Sequence, residues 1–273
     1  MIEDVVSPRG PYRLNLMTHG RAFDTPLPGG SRGIAWQLRD GRVQLRAPDE
    51  EGLARLRFCL ALDADTTEFT RRFRRDPLLG ASIAHLRGLR PLRKPTVAAA
   101  VLQAVCGQLI EAKRALALER RIIRAIGEPA PTRETLGALS PVELRRLGLA
   151  TPRASTLVRV CRTIDVERLR DQPIEAVEAR LLRERGLGPW SLGVIALYGV
   201  GSYEHGLIGD LGLVKLCAAL WGRWVEVYET SELLAPYGEW AGLAGVYLMR
   251  GWAAGAVPGA SGDRARLVRF RAA

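Results

Sequence analysis

Two short segments carry the residue types from which chemistry could be built. The first, Leu181-Leu182-Arg183-Glu184-Arg185-Gly186-Leu187-Gly188-Pro189-Trp190, reads as a helix running into a Gly-Leu-Gly turn, with a second helix starting at Pro189 or Trp190. Two glycines around one apolar residue predict a hairpin in which Leu187 packs inward and backbone N–H groups face out. That arrangement accepts a phosphate oxygen without any side-chain charge. The same tripeptide also serves an ordinary helix–helix turn. The second segment, Leu207-Ile208-Gly209-Asp210-Leu211-Gly212-Leu213, places a carboxylate 22 residues after Gly188, at a loop–helix junction. There Asp210 caps the new helix, as aspartate does well, and also lies near the predicted phosphate-binding hairpin.

Few other parts for chemistry are present. Cys59, Cys106, Cys161 and Cys217 are far apart and sit among apolar neighbours, so they read as reduced core residues and not as zinc or iron–sulfur ligands. His19, His85 and His205 are isolated, which leaves no set for a Ser–His–Asp triad or a metal site. Any reaction is therefore expected to run on carboxylates, water and shape. Basic residues number 40 against 29 acidic, a net charge of +11, and only Lys94, Lys113 and Lys215 of the basic set are lysines. Guanidinium groups match phosphate oxygens bidentately, so a polyanion, nucleic acid first, is the expected partner. GC-rich codon usage also raises arginine content. No apolar run approaches the ~18 residues of a membrane span, and the N-terminus lacks the form of a signal peptide.

The surrounding elements fall into two kinds. Before about residue 70, Tyr12–Leu16, Ile34–Leu38 and Arg42–Arg46 alternate apolar with polar, predicting half-buried strands, with Asp40-Gly41 as a two-residue hairpin turn of the favoured type. Glu51–Leu62 fits helix or strand. From Thr66 onward the pattern is helical: Thr96 precedes an apolar-periodic stretch over Val97–Ala117 broken by Gly107, and Ser140-Pro141-Val142-Glu143 is a capping box. Arg153–Ile164, Pro173–Arg185 and Glu239–Trp252 read as further helices. The expected fold is mainly α with an N-terminal α+β lobe. The tail from Pro258 is small, polar and basic, and is expected to be mobile.

In this order the motifs resemble the helix-hairpin-helix DNA glycosylases, most closely the alkylpurine branch. The likeness is strongest over Leu78–Trp252. Ala104-Val105-Cys106-Gly107-Gln108-Leu109-Ile110 is similar to the family's Ile-Leu-Gly-Gln segment, and Gly186–Trp190 to its Gly-Ile-Gly-x-Trp hairpin. Gly209–Leu213 is similar to the turn bearing its essential aspartate, and Pro236–Trp240 to its late Trp-containing helix start. The resemblance implies a cleft between two helical subdomains, one formed by residues 76–94 plus 207–273 and the other by 95–206, with the helix-hairpin-helix at 173–199 and the N-terminal lobe at 1–75. It implies that Asp210 is the catalytic carboxylate and that Trp190, Trp240 and Val194 line a base pocket. Gln108 and Leu109 would sit at the DNA, Leu109 as a wedge, and Gly186, Leu187 and Gly188 would grip the backbone beside the lesion.

The implied activity is hydrolysis of the N-glycosidic bond of alkylated purines of the 3-methyladenine and 7-methylguanine type. The partner would be double-stranded DNA containing damaged bases, acted on by a monomer in the bacterial cytoplasm and nucleoid. Bifunctional relatives carry a lysine nucleophile at the position of Trp190. With none of the three lysines expected nearby, the chain is expected to lack lyase activity. No cofactor or catalytic metal is implied, although the resemblance allows a structural monovalent cation at the hairpin. Glu111, Val194 and Ala241 depart from the family pattern and leave the lesion range open. A glycosylase for deaminated or oxidised bases, and a non-catalytic protein that recognises distorted duplex, are the alternatives.

Overall fold

The computed structural model describes residues 1–18, 20, 22–108 and 110–260, so Leu109 and the tail beyond residue 260 lie outside the described residues. The N-terminal lobe is a four-stranded antiparallel sheet, β1 (Ile2–Val6), β2 (Ala22–Pro26), β3 (Arg32–Gln37) and β4 (Val43–Ala47), in the order β1-β4-β3-β2. The β3–β4 hairpin forms at Asp40-Gly41, but its loop has three residues, 39–41, and not two: Leu38 N–H donates to Arg42 O at 2.8 Å, and Gly41 at φ 89 takes the left-handed position while Asp40 does not. Val43, Leu45 and Ala47 alternate onto one face and are fully buried. Helix α1 (Glu50–Cys59) covers that face, capped by Asp49, which accepts from Gly52 N–H. Gly33 lets Leu56 lie on the sheet, since a Cβ there would come within 2.7 Å of the leucine side chain. The sequence pattern over Glu51–Leu62 thus resolves as helix.

One expected strand is absent. Tyr12–Leu16 alternates in burial as a strand would, but it joins no ladder and its end turns as a 3-10 helix, Leu14–Leu16. Its polar groups bond across to other elements: Leu14 N–H donates to Gln37 Oε1 and Arg13 N–H to Gly88 O. The place beside β4 is taken by β1, whose residues begin the chain.

The remainder is helical. After α2 (Thr67–Phe73) and α3 (Gly80–His85) come α4 (Val97–Gly107), α5 (Ala112–Ile126), α6 (Arg133–Ala138), α7 (Pro141–Arg146) and α8 (Thr151–Thr163). Then follow α9 (Ile174–Leu182), α10 (Pro189–Ile195), α11 (Leu211–Trp221), α12 (Thr230–Leu234) and α13 (Ala241–Ala253). Gly107 ends α4, so the long periodic stretch is two helices. The Ser140 capping box is present, with Glu143 Oε2 accepting from Ser140 N–H at 2.7 Å. The first-turn N–H groups of α4 are held by the Thr96 hydroxyl and by Glu167, which accepts from both Val97 and Ala98 at 3.0 Å. All four cysteines are buried and unbridged, and burial pushes each thiol up to about 12. None of the described helices is long and apolar enough to cross a membrane.

Lobe and helices are tied together by Arg90, which is fully buried. Its guanidinium donates to Ala61 O at 2.6 Å, Pro11 O at 3.0 Å and Leu62 O at 3.3 Å, and also to Arg9 O, and it lies over the Tyr12 ring. Burial lowers its pKa from the ordinary arginine value. Arg90→Leu would leave the carbonyls of Arg9 and Pro11 without a donor and strip a second donor from those of Ala61 and Leu62, and each orphan costs about 1–3 kcal/mol. Chemical denaturation is expected to show a loss of about 3–5 kcal/mol for the variant; a change under about 0.5 kcal/mol would show that solvent replaces these bonds.

Candidate active site

The hairpin is built as the spacing predicts. Leu187 is buried at 7% exposure and anchors the turn, its N–H donating to Glu184 O. Gly186 has φ 91, and a Cβ there would run into the Thr156 hydroxyl of α8. Thr156 Oγ1 and the Arg159 guanidinium both donate to Arg185 O. Gln108, at the end of α4, donates its Nε2 to Gly186 O at 2.7 Å and to Ser191 Oγ at 3.0 Å. The glutamine predicted at the DNA therefore also clamps the hairpin to α4. The N–H groups of Gly188, Trp190 and Ser191 donate to no described partner, as a phosphate-accepting turn requires. Exposed Arg183 and Arg185 flank them, and neither makes an ion pair among the described residues.

Most carbonyls of this turn are already engaged. Those of Glu184, Arg185, Gly186 and Gly188 already accept hydrogen bonds, and a guanidinium occupies the one on Arg185. Among the described residues no cluster of three His, Cys, Asp or Glu side chains could hold a metal ion.

Asp210 stands at the N-terminus of α11, where its Oδ1 accepts from Gly212 N–H at 2.8 Å. Its second oxygen, Oδ2, accepts from Trp190 Nε1 at 3.2 Å, so indole and carboxylate are directly joined. The turn before it is held by Gly209 at φ 87, whose N–H donates to Thr230 Oγ1. Two further close approaches set the geometry. A Cβ on Gly107 would be 2.5 Å from Trp190 Cη2, so the indole lies on the bare end of α4. A Cβ on Gly193 would strike Gly206 O, so α10 presses against the loop that leads to Asp210.

Half-buried Asp210 opens onto a cleft of about 1060 Å³. Gln108, Gly186, Gly188, Trp190 and Val194 line the same cleft, which thus gathers most of the residues singled out by sequence. Leu187 is the buried anchor beneath it. Trp240 is not brought there: its ring packs on Tyr203 at 5.9 Å and Phe69 at 5.7 Å, beside the N-terminal end of α13. Three aromatic rings and an apolar body make that site core, so the motif likeness at Pro236–Trp240 locates a helix start and not a cleft wall.

The cleft also holds residues that sequence reasoning missed. Tyr198 lies on the π-helical continuation of α10, Ala196–Val200. Burial, with the Asp210 charge adding to it, pushes its phenol up to about 12. The signal was available, because Trp190, Val194 and Tyr198 recur every four residues on one helical face. Lys94 and Lys215 line the cleft as well, which corrects the inference that no lysine is near the site. Sequence distance concealed them: Lys94 precedes α4, and Lys215 is one turn and more into α11. Lys94 is paired with Glu119 at 2.6 Å, whereas Lys215, half-buried, has no ion pair among the described residues.

No family profile matches the chain. Over 230 residues it is 25% identical to a Bacillus subtilis protein named DNA-3-methyladenine glycosylase, an alignment covering 78% of this chain and 76% of that one. Its fold matches the 3-methyladenine DNA-glycosylase of Archaeoglobus fulgidus with a TM-score of 0.77 at 17% identity, over 90% of this chain and 97% of the other. It also matches an 8-oxoguanine glycosylase/lyase of Clostridium acetobutylicum in complex with double-stranded DNA, with a TM-score of 0.69 at 14% identity, over 93% and 99% of the two chains. The structural likenesses bear out the expected fold, and the sequence likeness is to a protein named for the alkylpurine branch.

Proposed function

We propose that the chain is a base-excision DNA glycosylase that releases alkylated purines from duplex DNA by hydrolysis. The observation that carries this reading is the hydrogen-bonded Trp190–Asp210 pair opening onto a cleft beside a phosphate-accepting hairpin. The sequence likeness to a protein named DNA-3-methyladenine glycosylase supports the choice of substrate class.

The geometry fits the chemistry step by step. A base in a duplex is out of reach, so it must leave the stack at a cost of a few kcal/mol, and the cleft receives it. The outward N–H groups of Gly188, Trp190 and Ser191 take a phosphate of the same strand, with Arg183 and Arg185 adding charge. An alkylated purine carries positive charge, which favours stacking on an indole face by about 0.5–2 kcal/mol. As the glycosidic bond breaks, the sugar becomes oxocarbenium-like. Asp210 lies where its charge stabilises that cation and orients the attacking water. A cationic base leaves without a general acid, so one carboxylate suffices. Such an enzyme would work in the cytoplasm, on the nucleoid, as a monomer.

Hydrolysis without strand cleavage follows from Trp190 standing where a lyase would need an amine. Lys94 is engaged by Glu119, which leaves Lys215 as the one competing amine in the cleft among the described residues. Borohydride reduction during turnover is expected to trap no covalent protein–DNA product. A trapped product that disappears in Lys215→Ala would instead make Lys215 an imine-forming nucleophile. Substrate class is tested with duplexes bearing one lesion each. Release of 3-methyladenine or 7-methylguanine is expected; release confined to uracil, hypoxanthine or 8-oxoguanine would favour the deaminated- or oxidised-base alternative.

A further inference from the structure

Trp190, Val194 and Tyr198 form one wall of the cleft, and Gly107 and Gln103, also four residues apart, face it from α4. Eight residues at a rise of 1.5 Å set Tyr198 about 12 Å along this wall from Trp190, the residue bonded to Asp210. At the Tyr198 end of this wall stand Lys94 and Glu119, which line the same cleft. Lys94 N–H donates to Tyr198 O at 2.7 Å, which seats the lysine below the tyrosine. Lys94 Nζ and Glu119 Oε1 are 2.6 Å apart, with the side chains 29% and 9% exposed. Glu119 Oε2 has no hydrogen bond among the described residues. Gln103 Oε1 is buried and has no partner among the described residues.

A buried ion pair is weak as a source of stability, because desolvation offsets most of its attraction. Here the pair faces the cleft, with an ammonium donor and an unused carboxylate oxygen side by side. That is the complement of one purine edge. Guanine presents O6 as acceptor next to N1–H and the N2 amino group as donors, in one row. Adenine presents an amino donor beside a bare N1, whose lone pair would oppose a carboxylate. Alkylation at N7 makes guanine N1–H more acidic, and so a better donor to a carboxylate.

We infer that Lys94 and Glu119 read the Watson–Crick edge of an extruded N7-alkylated guanine, Glu119 accepting from N1–H and the N2 amino group and Lys94 donating to O6. This rests on the glycosylase reading above and adds to it a specificity-determining pair at the far end of the same cleft. Asp210 acts on the sugar, whereas the pair acts on base identity.

The test uses the full chain and duplex DNA methylated to contain both 7-methylguanine and 3-methyladenine, with released bases quantified by mass spectrometry. Glu119→Gln keeps size but turns an amide toward the donors of guanine. Release of 7-methylguanine is expected to fall about 10- to 100-fold relative to 3-methyladenine. A ratio unchanged within about twofold would overturn the inference, because a merely structural role lowers both bases alike. Release of neither base by the unmutated chain would overturn the glycosylase reading, and this inference with it. Should Glu119→Gln fail to fold, Lys94→Met with Glu119→Met replaces the pair by apolar side chains, and the same fall in the ratio is expected.

Discussion

Asp210→Asn is expected to cut base release by about 10²- to 10³-fold while leaving duplex binding and the fold in place. The separation of effects follows from the two bonds that Asp210 makes. As helix cap it accepts from Gly212 N–H, a role asparagine fills equally well, so α11 starts as before. Its other oxygen accepts from Trp190 Nε1, and there the variant presents an amide N–H₂ to an indole N–H. One donor then faces another, at a cost of about 1–3 kcal/mol that a lowered melting temperature registers. The larger loss is the missing negative charge beside the developing sugar cation. Single-turnover release of methylated purines, measured with a binding titration on the same duplex, checks both halves. Release by the variant at the unmutated rate would remove Asp210 from the chemistry.

The second large effect is expected at the hairpin, where two neighbouring glycines should respond differently. Gly186 has φ 91 and faces the Thr156 hydroxyl, so Gly186→Ala forces both backbone strain and displacement of a side chain that holds Arg185 O. Strain of this kind costs about 1–3 kcal/mol. Gly188 has φ −120, an ordinary extended value, and a Cβ there would meet nothing within 4 Å. Gly188→Ala should therefore keep the stability of the parent. If DNA backbone approaches the free N–H groups of this turn, the added methyl lies in its path, and duplex affinity should fall about tenfold, or 1.4 kcal/mol. Loss of affinity in both variants, with loss of stability in only the first, is the expected pattern. Unchanged affinity in Gly188→Ala would place the DNA elsewhere.

The legible and illegible parts of the molecule separate by range of interaction. The Ser140 capping box and the Gly186-Leu187-Gly188 turn depend on neighbours in the chain, and each formed as its residues predict, while the Asp40-Gly41 hairpin formed in place with one loop residue more. Tyr12–Leu16 carried the right alternation for a strand, yet alternation reports burial and not hydrogen-bond partners. Its polar groups found Gln37 and Gly88 instead of a ladder. Trp240 shows the same limit for sites: an aromatic near a motif can serve core or cleft, and the packing of Phe69 and Tyr203 decides it.

The candidate site was legible where a backbone requirement marks it. Gly186, Gly107 and Gly209 leave glycine signatures that frame Trp190 and Asp210. Lys94, Glu119 and Lys215 left none, because a charged residue on a loop or a helix reads as solvated until the opposing element is known. The charge excess pointed to a polyanion, but not to an ion pair lining a cleft.

The most direct measurement of the central claim is a mass-spectrometric inventory of what leaves methylated duplex DNA during incubation with the unmutated protein. The account predicts free methylated purine bases accumulating with time, and abasic but unbroken strands left behind. Tight binding to the same duplex with every methylated base still attached would contradict it, and would make the chain a protein that recognises damaged DNA without cutting the glycosidic bond.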